Sequence, residues 1–354
     1  MPLTVLVTAA GSTIGQGIIK SIKRSRLECR LVTCDADPYA AGLYRGDAGY
    51  LVPLGRASGF IDAIIAVCRR EGVQAICIGT DYELAAFAGA REHIARETGA
   101  TVIVSDPGVI RIADDKWLTS EFLRTHDLPF IPSALPPDAM ALVEAEGFPV
   151  IIKPRIGDSS KDTWVVRDTV ELRQRLADIR NVTENRFLEH GAGFVVQKYM
   201  GTDEHEYTTS TLSFDGESFG VISMRREMRF GGHTTKAFIE PVPAVDRAIA
   251  SVASALRPFG PCNFQSRVVD AVPYVFEINC RFSGTTATCA IAGFNHVEAT
   301  LRKVVLGEHI EPLRFTNGVM LRYFNEVFVP MDDVERLQRD GSIRGSRSVN
   351  NDRF

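Results

Sequence analysis

Little in this sequence is in excess. Its 354 residues carry 40 Lys and Arg against 44 Asp and Glu, a net charge of −4. No basic surplus exists to draw in a nucleic-acid backbone. No run of 18 apolar residues occurs, so no membrane-spanning helix is expected. The N-terminus, MPLTVLVTAAG, enters a strand at once. It lacks the basic segment and long apolar stretch of an export signal. The seven cysteines (29, 34, 68, 77, 262, 280, 289) are odd in number and form no C-x-x-C pair. Most sit in apolar surroundings, so buried free thiols in a reducing, cytoplasmic compartment are expected. There is no internal repeat and no low-complexity tract. What is present, 45% hydrophobic and 24% charged residues, is the composition of a globular protein. The length allows two or three compact units.

One stretch stands out, PCNFQSRVVDAVPYVFEINCRFSGTTA at 261–287. Two β-like runs, 262–269 and 274–280, flank a turn at 270–273, which predicts a hairpin. Side chains alternate faces along a strand. Phe276, Ile278 and Cys280 are therefore expected on a core face, and Glu277, Asn279 and Arg281 on the other. Asn263, Gln265 and Arg267 form the matching polar face of the first run. One carboxylate, three amides and two guanidiniums on one side are costly to bury without a ligand or partner. Oxygen ligands with a single carboxylate suit Mg²⁺, which shares its coordination with waters and phosphates. The competing reading is an ordinary polar hairpin edge facing solvent.

Upstream, residues 3–8 read as a buried strand, followed by Gly11-x-x-x-Gly15-x-Gly17 and a helical recurrence of Ile14, Ile18, Ile19 and Ile22. A second strand ends at Asp35. Further strands at 75–79 and 101–105 alternate with helices, the pattern of a doubly wound parallel sheet. Thr80-Asp81-Tyr82-Glu83 lies at the carboxyl end of one strand. The glycine spacing resembles the cofactor turn of short-chain dehydrogenases, with Asp35 placed 18 residues past Gly17 as a ribose acid. No tyrosine, however, has a lysine four residues later, and those enzymes need that pair. The simpler account is close packing of a helix on its strand.

Next, Asp114-Asp115-Lys116 opens a helix that ends at Leu128-Pro129-Phe130-Ile131-Pro132. The apolar strand 148–154 delivers Lys153 at its end, where a cation suits polyphosphate. Asp168-x-x-Glu171 is a capping box. Residues 207–214 and 218–223 form a hairpin around Asp215-Gly216. A basic loop follows, from Arg225, Arg226 and Arg229 through Gly231-Gly232-His233 to Lys236. After Arg281, the small hydroxyl-rich turn 283–286 is expected to present N–H and O–H groups to an anion. Residues 311–354 carry no clear motif, and their basic end is expected to be disordered.

Gln265, Glu277-Ile278-Asn279 and Arg281 together resemble the metal-binding signature of the ATP-grasp superfamily. Gln first and Glu-x-Asn-x-Arg second are most similar to the carbamoyl-phosphate synthase large subunit. The resemblance spans roughly residues 1–310 and keeps the family's order. It implies α/β and α+β architecture, with an N-terminal Rossmann-like (preATP-grasp) domain, 1–115, ahead of a two-lobed ATP-grasp fold. The small lobe would be 116–196 with the phosphate loop, the large lobe 197–310 with the metal site, and 311–354 a C-terminal extension. Gln265, Glu277 and Asn279 would bind Mg²⁺ or Mn²⁺. Lys116, Lys153 and the loop residues Ser159, Ser160 and Lys161 would hold the phosphates of ATP. That loop has one glycine where several are usual. Gln197, Lys198, Tyr199 and Met200 resemble the hinge that holds adenine through its backbone. Glu204, with Glu206 as alternative, would bind ribose. His233 and Arg281 would be catalytic.

The implied chemistry is ATP-dependent activation of a small-molecule carboxylate as an acyl phosphate, then attack by an amine. Phosphoryl transfer of this kind needs positioning and charge neutralisation rather than a protein nucleophile. Carbamoyl-phosphate synthesis itself is not expected, because only one such unit is present. Small-molecule acid and amine substrates are expected, with no nucleic-acid or membrane partner, and a homodimer as in related proteins. A nucleotide-binding regulatory protein without turnover is the alternative, with an NAD(P)-dependent oxidoreductase behind it.

Overall fold

The computed structural model describes residues 2–157, 162–185, 193–201, 205–229, 233–323 and 325–350. The predicted phosphate-loop residues Ser159, Ser160 and Lys161, and Glu204, lie outside the described residues.

Five short strands build the first sheet: β1 (Leu3–Val7), β2 (Cys29–Asp35), β3 (Ala48–Leu51), β4 (Ala75–Cys77) and β5 (Thr101–Ile103). They run parallel in the order β3-β2-β1-β4-β5. The order reverses between β1 and β4, which opens a crevice at their carboxyl ends. Thr8, the loop through Ser12 and the turn Asp81–Glu83 stand there. β1 is buried at all five positions, which explains why every residue but Thr4 is apolar. The glycines of the first turn serve packing. A Cβ on Gly15 would lie 2.3 Å from the Ala9 carbonyl oxygen, and one on Gly17 would touch Ser283, Thr286 and Ala287. Helix Thr13–Lys23 thus lies directly against the segment that follows Arg281.

Four strands make the second sheet: β6 (Ser133–Ala134), β7 (Val150–Pro154), β8 (Trp164–Val166) and β9 (Phe194–Lys198), in the order β6-β9-β7-β8. Helix Lys116–Thr125 leads into it. Asp115 caps that helix by accepting from the Trp117 and Leu118 amides. Arg155 clamps the same carboxylate at 2.6 Å.

The third sheet holds β10 (Glu206–Phe214), β11 (Glu217–Arg229), β12 (His233–Ile239), β13 (Gly260–Val269), β14 (Val272–Asn279) and β15 (Gly318–Leu321). Its order is β14-β13-β10-β11-β12-β15, every pair antiparallel. The basic segment read as a loop is mostly strand: β11 continues through Arg229, and His233 opens β12 opposite it. Cross-strand pairing takes in residues 225–229 and 233–236 of that segment.

The C-terminal stretch forms strands and a helix as far as residue 350, and the end expected to be disordered lies outside the described residues. β16 (Val327–Phe328) pairs with β18 (Val349–Asn350), and β17 (Ser342–Arg344) joins the first sheet beside β3. Val334, Leu337 and Ile343 pack on Leu43 and Tyr44. Arg344 and Arg30 both pair with the buried Glu71, which also accepts from the Tyr50 hydroxyl. A mostly polar sequence is held by a few apolar anchors and one shared carboxylate.

Among the described residues no helix is long and apolar enough to cross a membrane. All seven cysteines are free thiols; six are buried and Cys29 is partly so.

Candidate active site

The predicted hairpin forms, with one correction. Asn263 pairs with Asn279 and Gln265 with Glu277, but the next pair is Ser266 with Val275. Phe276 is skipped by the register, a β-bulge. An extra residue in one strand shifts the alternation by one. Val275 therefore joins Ile278 and Cys280 in the core, and Phe276 does not. Its ring turns to the polar side, 5.7 Å from the Lys153 ammonium and 5.9 Å from the Arg267 guanidinium. The turn is also tighter than predicted. Asp270 and Ala271 alone make it, both at positive φ (47° and 64°), the geometry of a two-residue hairpin turn.

On the polar face, residues paired across the ladder point the same way. Gln265 Nε2 and Asn279 Nδ2 both donate to Glu277 Oε1, at 3.1 and 3.0 Å. Two amides and one carboxylate thus converge on one point. Among the described residues no three His, Cys, Asp or Glu side chains are arranged to hold a metal. The convergent set is one acid with two neutral oxygen donors. That set fits a cation completed by phosphate and water once Asn279 turns its oxygen inward and Gln265 gives up the Arg226 donor on its own. Asn263, on the same face, is buried and spends its amide on Thr208 and the Thr209 carbonyl.

Behind the platform lies a network absent from the sequence reading. Glu206 stands opposite Arg267 in the β10–β13 register. One of its oxygens takes Arg267 at 2.5 Å, and the other takes the Arg226 Nε at 2.7 Å. Arg226 also donates to Gln265 Oε1 at 2.7 Å. Both carboxylate oxygens of Glu206 are therefore occupied by guanidiniums, which removes it as the ribose alternative. Arg226 orients a platform side chain, whereas Arg225 stacks on Phe238 at 4.0 Å and Lys236 pairs with Glu227 at 2.6 Å. The alternation in β10 and β11 carried the signal, an acid and an arginine on one buried face.

Lys153 reaches the platform from β7. Burial, and then the charge of Lys116, pull its pKa down to about 7, against the opposing pull of Glu277. Lys116 Nζ donates to the Gly157 carbonyl at 2.8 Å, just before the residues predicted as a phosphate loop. At the predicted hinge, Gln197 is buried and donates to Ser133 Oγ at 2.8 Å. Lys198 Nζ caps the 146–147 carbonyls at 2.8 and 3.2 Å. The Lys198 and Tyr199 amides bond to Pro132 and Pro149 carbonyls. A cavity of about 890 Å³ adjoins the hinge, lined by Leu128, Phe130, Tyr199, Met200 and Tyr274 among others. Lys116, Lys153 and Glu277 do not line it, so it extends from the hinge away from the platform. Of His233 only the backbone is described.

Arg281 leaves the hairpin and meets the first sheet. Its Nε and Nη2 hold Asp81 Oδ1 and Oδ2, each at 2.9 Å. The turn after it is not the exposed anion cradle that was expected. Ser283, Thr285 and Thr286 are buried. Thr286 Oγ accepts from the Ser283 amide, Ser283 Oγ from the Thr285 amide, and Ser283 and Ser210 hydroxyls meet at 3.0 Å. The hydroxyls stitch the segment to the large sheet. Nearby, burial and then the Asp35 charge raise the Glu83 carboxyl to about 7, opposed by the Thr8 hydroxyl that donates to it.

Comparison with known proteins agrees with this architecture. Residues 5–103 match the family described as PylC-like, N-terminal domain. Residues 192–327, which hold the hinge, the platform and Arg281, match ATP-grasp in the biosynthetic pathway with Ter operon. An ATP-grasp family thus accounts for residues 192–327 of this chain. D-alanine–D-alanine ligase of Bacillus anthracis is 30% identical over 149 residues, 38% of this chain and 44% of that protein. The carbamoyl phosphate synthase large chain of Methanosphaerula palustris is 25% identical over 244 residues, 64% of this chain and 19% of that one. The chain thus spans less than half the length of these relatives. Among solved structures, the biotin carboxylase domain of 2-oxoglutarate carboxylase from Hydrogenobacter thermophilus, with MgADP, ADP and bicarbonate, superposes with a TM-score of 0.69. It is 16% identical, over 89% of this chain and 72% of that one. The oxidoreductase reading gains nothing, because the glycines it rested on are taken up in packing.

Proposed function

We propose that this ATP-grasp protein is a ligase. It activates a small-molecule carboxylate with ATP as an acyl phosphate, which an amine then attacks. The observation that carries the reading is the convergence of Gln265, Glu277 and Asn279 on one point, with Lys153 on one flank and Arg281 on the other. A carboxylate oxygen attacks the γ-phosphorus and the bond to ADP breaks. The amine nitrogen then attacks the acyl carbon, the C–O bond to phosphate breaks, and the nitrogen gives up its proton to solvent.

In this reading Gln265, Glu277 and Asn279 hold Mg²⁺, which supplies charge neutralisation of the nucleotide's phosphate oxygens. Lys116 and Lys153 hold those phosphates, helped by Ser159, Ser160 and Lys161. The 197–200 backbone takes adenine, and Glu204 takes ribose. His233 and Arg281 stabilise charge on the transferring group. The domain limits 1–115, 116–196, 197–310 and 311–354 belong to the same proposal. So do a cytoplasmic location, which seven free thiols favour, and a homodimer.

The test is ADP release in the presence of Mg²⁺ across a panel of acids and amines. ADP release that requires one acid supports the ligase. Tight Mg·ATP binding without release under any mixture speaks for a binding protein, and no ATP binding at all sinks the assignment.

The depressed pKa of Lys153 has a consequence for nucleotide binding. Near pH 7 the free protein holds about half a proton there. Phosphates beside it favour the ammonium, so binding takes up the missing fraction. Affinity for Mg·ATP should then fall as pH rises above 7, with a slope approaching roughly tenfold per pH unit. Calorimetric titrations between pH 6.5 and 9 measure it. Lys153→Arg, charged throughout, should flatten the slope; an unchanged slope would show that another group takes the proton.

A further inference from the structure

The ion pair between Arg281 and Asp81 joins residues 200 positions apart, across two sheets. Arg281 continues the polar face of Glu277 and Asn279, with only 12% of its side chain exposed. Asp81 stands at the carboxyl end of β4, in the crevice where the strand order reverses. Its side chain is 36% exposed, so the pair is open to solvent from the Asp81 side. Open α/β sheets take ligands at such a reversal point.

Charge balance then selects the ligand. A simple carboxylate that took the guanidinium would leave Asp81 unpaired beside a second anion, two residues from Glu83. A simple amine that took Asp81 would leave Arg281 unpaired in a half-buried site. Either outcome leaves a partly desolvated charge without its counter-charge, which opposes binding. A molecule with both groups leaves neither charge stranded. Its carboxylate replaces Asp81 on the fork of Arg281, and its ammonium replaces Arg281 on Asp81.

We infer that the Arg281–Asp81 pair is the recognition site for a zwitterionic amino acid, which inserts between the two charges. This deepens the ligase reading and rests on it. An ammonium held on a carboxylate stays protonated and has no lone pair to attack with. Its carboxylate, by contrast, lies at the edge of the platform. The amino acid bound here is therefore the acid that is activated, and the amine comes from a second substrate. Asp81 is then a specificity-determining residue.

The test is equilibrium binding, in the presence of Mg·ADP, of the proteinogenic L-amino acids and D-alanine. Each is compared with its des-amino acid and its decarboxylated amine, as alanine with propionate and ethylamine. The expected result is one amino acid bound at least tenfold tighter than either analogue. Asp81→Asn should weaken that amino acid by about 10- to 100-fold and change the des-amino acid by less than threefold. Asp81→Glu should recover part of the loss. Equal binding of the des-amino acid, an unchanged ratio in Asp81→Asn, or no saturable binding by any amino acid overturns the inference. ADP release on the same ligands separates the two readings. Asp81-dependent amino-acid binding without ADP release keeps the recognition site and sinks the ligase. ADP release with a des-amino acid, indifferent to Asp81, does the reverse.

Discussion

Glu277→Ala should lower the rate of ADP release by about 10³-fold or more, with little change in thermal stability. Glu277 is the only carboxylate of the convergent set, and both platform amides point at its Oε1. Two neutral amides are poor ligands for a hard divalent cation, which binds through carboxylates and phosphates. Removing one group that stabilises charge in the transition state costs about 10²–10³-fold, and losing the metal costs more. Glu277→Gln tests charge apart from shape. It preserves the side-chain volume and should lose nearly as much. The fold should survive because Glu277 is half-buried, so water can serve the Gln265 and Asn279 amides when it is gone. A coupled assay for ADP, with melting curves on the same samples, reads both quantities. Turnover within tenfold of the native rate would remove the platform from the mechanism.

The second large effect is on stability. Glu206→Ala is expected to cost about 3–5 kcal/mol, the range for breaking a buried ion pair from one side. Glu206 carries two guanidiniums, and the side chains of Glu206, Arg226 and Arg267 are 3%, 8% and 12% exposed. Truncation strands two charges where water hardly reaches. Arg267 also donates to the Gly201 carbonyl just past the hinge, and Arg226 to Gln265. The same change should therefore loosen the hinge and the platform, and weaken Mg·ATP binding in whatever protein remains folded. Urea unfolding of the native chain, Glu206→Ala and Glu206→Gln measures the cost, with Gln intermediate. A loss under about 1 kcal/mol would mean that solvent enters the network freely.

Much of this site could be read from the chain because strand alternation is a local property. Gln265, Glu277, Asn279 and Arg281 fall on one side of a hairpin whatever the hairpin packs against. Lys153 was legible for a similar reason, a lone cation ending an apolar strand. The largely apolar run of β1 and the helical spacing of Ile14, Ile18, Ile19 and Ile22 likewise announced a parallel sheet with a helix on it. Other features depended on neighbours. The skipped residue in β14 has no sequence mark, since Val275, Phe276 and Ile278 are all apolar. Which of them leaves the core was decided by what β13 and Lys153 on β7 present.

Glu206, Arg226 and Arg267 show the same division. Each looked like a surface charge or a ligand contact in isolation, and only strand pairing puts one acid between two arginines. The buried hydroxyls of 283–286 looked like an anion cradle until Ser210 and the helix Thr13–Lys23 closed over them. By itself, then, the sequence determined the three-part order of the chain, the polar hairpin face and the order of the candidate ligands, all set by periodicities of a few residues. The tertiary structure alone decided the bulge that brings Phe276 beside Lys153, the shared carboxylate behind the platform, the docking of β17 on β3, and the meeting of Arg281 with Asp81. Those contacts join residues tens to hundreds of positions apart, and a charge in a sequence does not name the partner that will neutralise it.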